Sequence, residues 1–386
     1  MKILYHHRIA SKDGQYVHVE EIIKALCSLG HEVVVVAPSV SEDKAFGSDG
    51  GFVKTLKGFM PAVIYELMEF VYAFHAYRKL GKAIREHKPD VIYERYNLFF
   101  PAGIWAKRKY KLPMLLEINA PLFEERSKYN GIALKSLAKW SERYVWQGAD
   151  KVLPVTQVLA KKVMAKGVAD EHITVIPNGI DLDKFGDVPD MDEAKEALGL
   201  AGRVVLGFTG FVRDWHGLDK VVDILKKDSQ EKRHLLVVGD GPARLSIEKR
   251  AVELDVQDQV TITGIVNRDD VAAHVAAFDI ALQPDVVDYA SPLKMFEYLA
   301  LGRAIIAPDK ENIKEILEHG KNGYLFNCDS TDTFLSGIEA LCQDADLRNE
   351  LAHGARESIF KKNFTWKNNA KIIIEQFNQL LDLGVK

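Results

Sequence analysis

Cysteine is scarce in this chain: Cys27, Cys328 and Cys342 are the only three in 386 residues. Their spacing fits no zinc pattern and cannot build a disulfide framework, which excludes a small stapled fold. Cys27 lies in an apolar helical stretch, where a buried small hydrophobe is expected. Long apolar runs are missing too. None reaches the roughly 18 residues that a membrane-spanning helix needs. The opening apolar run, Ile3 to Tyr5, is too short for the core of a signal peptide. A cytoplasmic location is therefore expected. The first loop lacks a G-x-G-x-x-G turn, which argues against a nicotinamide cofactor. No Asp-x-Asp-type cluster is assigned to a metal, so neither a metal nor a cofactor is expected. A nucleic-acid partner is not expected either.

What remains is an ordinary globular composition, 47% apolar and 27% charged. A chain this apolar can bury enough surface to offset its ordering entropy. At 386 residues one core is too few, and two domains are expected. The net charge of −4 conceals an asymmetry. Residues 1–185 hold 27 basic and 21 acidic side chains, whereas residues 186–386 hold 24 and 34. The basic excess is sharpest in 51–150, at 17 against 10. A phospholipid surface or a phosphorylated acceptor would suit such a first half, and so would an unevenly charged solvated surface.

Strand and helix alternate from the start. Lys2–Tyr5, HEVVVVAP, Val91–Tyr93, Met114–Ile118, ADKVLPVT and ITVIPNG read as buried parallel strands. Helical spacing of Val19, Ile22, Ile23, Leu26 and Leu29 places a helix after the loop Arg8–Tyr16, with Gly30 as its C-cap. The acidic, Gly- and Pro-bearing stretch after Ile180 reads as a linker. The alternation then restarts with RVVLGFTG, HLLVVGDG, QVTITG, DIALQP and RAIIAP, each followed by a helical segment. The pattern predicts two doubly wound α/β halves and a final amphipathic helix over 366–386. In such sheets ligands sit at the carboxyl ends of the strands.

Several loops at those ends carry chemistry. Gly14 lets backbone approach a ligand near a helix N-terminus, as any plain turn glycine would. The loop GFTGFVRDWHGLD brings Arg213 and His216 toward a helix start, a composition suited to a diphosphate. A surface loop with Trp215 packed beneath it is the competing reading. Gly239, Gly241 and Gly264 follow buried strands and either line a base and ribose through backbone groups or only permit sharp turns. In DYASPLKMFEYLALGRAIIAP, Ser291 and Pro292 read as N-cap and first helical residue. Lys294 and Glu297 then share one face, lysine for phosphate and glutamate for ribose hydroxyls. An intrahelical salt bridge would also explain the pair, but Phe296, Leu299 and Leu301 predict a well-buried helix. The stretch Gly58–Lys82 is apolar and aromatic, fringed by Lys54, Lys57, Arg78, Lys79 and Lys82. It suits a membrane surface; Glu66 and Glu69 interrupt it, which favours a core-packed helix.

Gly14, VIPNGIDLDKF, GDGPARL, Gly264–Val266, SPLKMFEYLALGRAIIAP and NGYLF, in this order, resemble a GT-B-fold glycosyltransferase of family 4 (glycosyl transferases group 1) over nearly the whole chain. The resemblance implies two doubly wound, Rossmann-like domains facing a central cleft. It implies an acceptor-side domain over 1–185, a nucleotide-sugar donor domain over 186–365, and a helix over 366–386 packing back on the first. It also implies transfer, with retention, from a nucleotide-diphosphate sugar (a UDP-sugar first) to a carbohydrate or lipid-linked acceptor. Polysaccharide or glycolipid assembly at the inner face of the cell membrane is the usual setting.

The resemblance assigns Arg213, Lys294 and Asn119 to catalysis. Gly14, His216, Gly241, Gly264, Ile265, Ser291, Pro292, Leu293 and Glu297 are assigned to the donor, and Glu117, Glu94 and Arg95 to the acceptor side. Three positions depart from the family pattern. Tyr289 stands where the first of two glutamates is usual, with Asp288 beside it. Asn119 replaces a histidine. Arg213 and His216 serve as equivalents of the usual Arg and Lys. A sugar-nucleotide 2-epimerase and a non-catalytic sugar-nucleotide binding module remain alternatives.

Overall fold

The computed structural model describes residues 1–9, 14–38, 60–129, 131–186, 188–227 and 232–384. They form two compact units: Met1–Asn178 with Tyr289–Ser291 and Trp366–Lys386, and Gly179–Asp288 with Pro292–Thr365. The junction therefore falls before Gly179, not at 185/186. Hydrogen bonding explains it. Ile180 donates its N–H to the Phe364 carbonyl, inside the second unit. Tyr289 and Ser291 bond instead to Thr156 and Asn178 of the first.

In the first unit, β1 (Lys2–His6), β2 (Glu32–Val36), β3 (Val91–Arg95), β4 (Met114–Ile118) and β5 (Lys151–Pro154) form one sheet in the order β2-β1-β3-β4-β5. Every pairing is parallel. β3 and β4 are buried at every residue, which is why they read as apolar runs, with charge only at Glu94, Arg95 and Glu117 near their carboxyl ends. ITVIPNG is not a strand. It makes a single bridge, Val152 to Ile173, because Pro154 opposite has no N–H to continue the ladder.

The first helix, Gly14–Ser28, begins earlier than expected, so Gly14 is its first residue. Val19, Ile22 and Leu26 face inward, and Cys27 lies off that stripe and is exposed, not buried. The helix Ala62–His87 packs Ala73, Ala76, Leu80 and Ile84 into the core, but its first turns are inverted relative to an ordinary surface helix. Glu66 is buried, and its two oxygens accept the N–H groups of Ala133 and Leu134 at 2.9 and 2.6 Å. Glu69 pairs with Arg126 at 2.9 Å. Val63, Ile64, Leu67, Met68, Val71 and Phe74 point outward, each about half exposed. The two glutamates therefore fasten the helix inward and leave its apolar face uncovered. Lys54 and Lys57 lie outside the described residues.

The closing helix, Trp366–Asp382, buries Ile373, Phe377 and Leu380. It is part of the first unit, where Asn369 donates to the Pro177 carbonyl at 2.7 Å and Trp366 meets the His18 ring edge-on at 5.1 Å.

The second sheet comprises β6 (Val204–Thr209), β7 (Arg233–Val238), β8 (Val260–Ile262), β9 (Ile280–Leu282), β10 (Ala304–Pro308) and β11 (Tyr324–Phe326), in the order β11-β10-β9-β6-β7-β8. All its pairings are parallel. β11, in NGYLF, has only three residues and was not expected as a strand. Strand order reverses between β6 and β9 here, and between β1 and β3 in the first sheet. Those reversals open the crevices where doubly wound sheets take ligands.

Candidate active site

The second unit gathers its site at the β6 end of such a crevice. β6 delivers Phe208 and Thr209, and the chain then turns through Gly210, whose φ of +115° suits glycine alone. The turn after β7 presses against it: a Cβ on Gly239 would stand 2.2 Å from the Gly210 carbonyl oxygen, and one on Gly241 2.1 Å from that of Val212. Gly241 thus serves the contact between two turns. Gly264 has φ +70°, and Ile265 beside it is 58% exposed.

The helix Leu293–Ala300 enters after β9. Met295, Phe296, Tyr298 and Leu299 anchor it in the core, as the sequence pattern predicts. Its N-cap is Pro292, not Ser291, and no side chain caps it. Ser291 belongs to the first unit, where its hydroxyl accepts the Asn178 N–H at 3.0 Å and its carbonyl accepts from Asn178 Nδ2 at 2.6 Å. The N–H groups of Leu293 and Lys294 thus open a helix without a side-chain cap. Tyr298, which sequence reading missed, fixes this helix at the crevice. Its hydroxyl accepts the Thr209 N–H at 3.0 Å and reaches the Leu282 carbonyl at 3.5 Å, tying the ends of β6 and β9 together.

Lys294 and Glu297 are not an ion pair. Lys294 Nζ lies 3.6 Å from the centroid of the Phe208 ring, and Glu297 Oε2 faces Thr209 Oγ1 at 3.5 Å. Burial lowers the Lys294 ammonium to about 7, only partly opposed by Glu297. Burial likewise pushes the Glu297 carboxyl up, against the pull of Lys294 and Thr209.

His216 is buried against the other side of this cluster, its ring 4.8 Å from that of Phe208. Burial first, then Lys294 and Arg213, holds its pKa down to about 3, so the ring is neutral. Its Nδ1 accepts the Arg213 N–H at 3.1 Å, which leaves the proton on Nε2 as a donor. Arg213 is exposed, its guanidinium 5.0 Å from the Phe211 ring. Trp215 is 51% exposed, not packed beneath the loop. Arg213, His216 and Lys294 converge with no carboxylate paired to either cation among the described residues. Such a cluster can take the oxygens of a diphosphate.

The first unit treats its charges differently. Glu117 Oε1 meets Arg95 at 2.7 Å and His18 Nε2 at 3.0 Å, while Oε2 accepts from Tyr93 at 2.7 Å. Burial alone would raise this carboxyl, but His18, Arg95 and Tyr93 outweigh it and hold the group well below the usual carboxylate range. Glu94 bonds His6 Nδ1 at 2.5 Å. Glu117, Glu94 and Arg95, expected at an acceptor, are therefore buried and saturated by their own neighbours. Asn119 lies just beyond β4 and is partly exposed. Tyr289 donates to Glu125 at 2.5 Å, inside the first unit, and Asp288 is exposed in the second.

Among the described residues no group of three or more His, Cys, Asp or Glu side chains is placed to hold a metal ion. Nor is any described helix long and apolar enough to cross a membrane.

Comparison with known proteins bears on this site. Residues 12–184 match the model described as Glycosyltransferase Family 4, and residues 190–358 match Glycosyl transferases group 1. An uncharacterized glycosyltransferase of Methanocaldococcus jannaschii is 23% identical, covering 96% of this chain and 95% of its own. The D-inositol 3-phosphate glycosyltransferase of Pseudarthrobacter chlorophenolicus is 22% identical over 96% of this chain and 91% of its own. HepE of Anabaena, solved in complex with UDP, superposes with a TM-score of 0.75 at 18% identity, covering 98% of this chain and all of its own.

Proposed function

Since the chain belongs to glycosyltransferase family 4 and has the GT-B fold, we propose that it transfers a sugar with retention from a nucleoside-diphosphate donor, UDP-linked first, to the hydroxyl of a carbohydrate or lipid-linked acceptor. The observation that carries this reading is the convergence of Arg213, His216 Nε2–H and Lys294 at the β6 end of the second crevice, beside the uncapped start of the Leu293–Ala300 helix. In the reaction the bond between the anomeric carbon and the phosphate oxygen breaks, and its electron pair stays on the diphosphate. The acceptor oxygen bonds the anomeric carbon and gives its proton to that phosphate. Arg213 and Lys294 stabilise the departing charge. Glu297 receives the ribose hydroxyls, and Gly264 with Ile265 meets the base. Asn119 serves catalysis from the acceptor side, and Gly14, at the start of its helix, lets backbone approach the donor diphosphate. No metal or further cofactor enters this scheme.

Thermal shift with UDP, GDP, ADP and TDP tests the donor. One nucleotide at 100 times its dissociation constant should stabilise the fold by about 2.7 kcal/mol. Lys294→Met should abolish the shift; an unchanged shift rejects the site. An epimer formed from UDP-sugar without acceptor would replace transfer by epimerisation.

The reading includes peripheral contact with an anionic membrane face. The uncovered apolar face of Ala62–His87 supports it, because Arg78 and Lys82 continue the same face beyond Phe74. Wild type should float with vesicles containing phosphatidylglycerol, and Val71→Asp with Phe74→Asp should not. Flotation unchanged by these substitutions, or assembly into a dimer through this face, would reject membrane contact.

A further inference from the structure

We propose that the first unit holds an anion-binding subsite built on Arg8, so that the acceptor, on the transferase reading above, carries a phosphate or carboxylate group. Arg8 follows β1 by two residues, beside the reversal of strand order. Its guanidinium carbon lies 4.6 Å from the centroid of the Phe100 ring and 4.9 Å from that of Tyr72, so the group rests against a stacked pair of rings. Three other cations of this unit have carboxylates: Arg95 with Glu117 at 2.7 Å, Arg126 with Glu69 at 2.9 Å and Lys107 with Asp150 at 2.8 Å. Arg8 has none among the described residues. Glu69, the acid that acts on it most, is bonded to Arg126.

A hollow opens next to Arg8, with His6, His7, Tyr72, Lys79 and Phe100 on its walls and no carboxylate among its lining residues. Lys79 adds a second cation, its Nζ 3.4 Å from the Ala37 carbonyl. His7 Nδ1 accepts the Ile9 N–H at 3.1 Å. Burial, with His6 and Arg95, lowers the His7 pKa to about 4, so the neutral ring keeps its proton on Nε2 as a donor. His6 is held by Glu94. A guanidinium resting against rings makes no conventional hydrogen bond to them, so its N–H fork stays available for two oxygens of a phosphate or carboxylate. Arg8 as a mere staple between Tyr72 and Phe100 would need no second cation and no neutral donor beside it.

The test uses the full chain with UDP saturating, so that the second unit cannot take the probe. Inorganic phosphate, titrated against chloride at equal ionic strength, should raise the melting temperature of wild type. Arg8→Met should weaken phosphate at least tenfold, the expected loss for a charged hydrogen bond, and leave the UDP shift intact, which also reports folding. Arg8→Lys, which keeps charge but loses the fork, should fall between them. Dodecyl phosphate below its micellar concentration and glucose 6-phosphate separate a lipid-borne from a soluble phosphate; either one, if lost in Arg8→Met, supports the subsite. A phosphate response equal in wild type and Arg8→Met, or no phosphate response in wild type, overturns it and leaves the donor reading standing. Absence of a shift with UDP, GDP, ADP and TDP alike overturns the donor reading, and the Arg8-dependent response to phosphate alone then decides the subsite by itself.

Discussion

Two groups of side chains, one at the carboxyl end of each sheet, handle charge in opposite ways. In the first, Glu117, Arg95 and His18 close on one another, as do Glu94 and His6. In the second, Arg213 and Lys294 rest on aromatic rings. A closed set of charges holds a frame in place, because every member satisfies another. A cation held on a ring without a counter-ion remains competent for an incoming anion, and the fold bears the desolvation. Residue type alone does not distinguish the two; pairing does.

The largest break in this contrast should come from Glu117→Gln. It leaves Arg95 and His18 buried without their carboxylate, and a loss of about 3–5 kcal/mol is expected in urea unfolding. Because its folded pKa is lowered, Glu117 contributes stability above the ordinary carboxylate range and loses it as pH falls below. Lys294→Met should do the reverse. Removing a desolvated ammonium should raise the melting temperature of the nucleotide-free protein by a few degrees, while binding is lost.

A pH titration sharpens the comparison further. Lys294 sits near 7 when unliganded, and a diphosphate favours its charged form. UDP binding should therefore take up a proton, and affinity should fall about tenfold per pH unit above 7 until the bound pKa is reached. Calorimetry in buffers of different ionisation enthalpy measures that uptake directly. The smallest effect should be Ile265→Ala. Its side chain is largely exposed, so stability should hold while UDP affinity drops by roughly 1 kcal/mol or less.

Much of this was legible before any coordinates. Continuous apolar runs placed β1 to β10 but made ITVIPNG a strand and missed β11, and the spacing of Phe296 and Leu299 correctly buried the helix that carries Lys294. What escaped depends on contacts distant in sequence. Glu94 and Glu117 are expected at the acceptor, near the ends of buried strands, yet their partners His6 and His18 lie on remote segments. Glu66 reads as an interruption of an apolar face, since nothing local shows that the amides of Ala133 and Leu134 await it. Ser291 has the composition of an N-cap, but a tertiary bond to Asn178 claims its hydroxyl. Tyr298 and Arg8 carry no local signal: one acts through a hydroxyl at the end of its ring, the other through the rings around it.

The seam between Gly210 and Gly239 has a consequence for how this protein can diverge. Any side chain at Gly239 would wedge two turns apart, so these positions are closed to variation. Phe211, Trp215 and Ile265 stand beside them with more than half of each side chain exposed. Substitution there leaves the scaffold intact and alters only what lies against it. On the proposed function, nucleotide preference should change through these three exposed residues while the seam between the turns stays fixed.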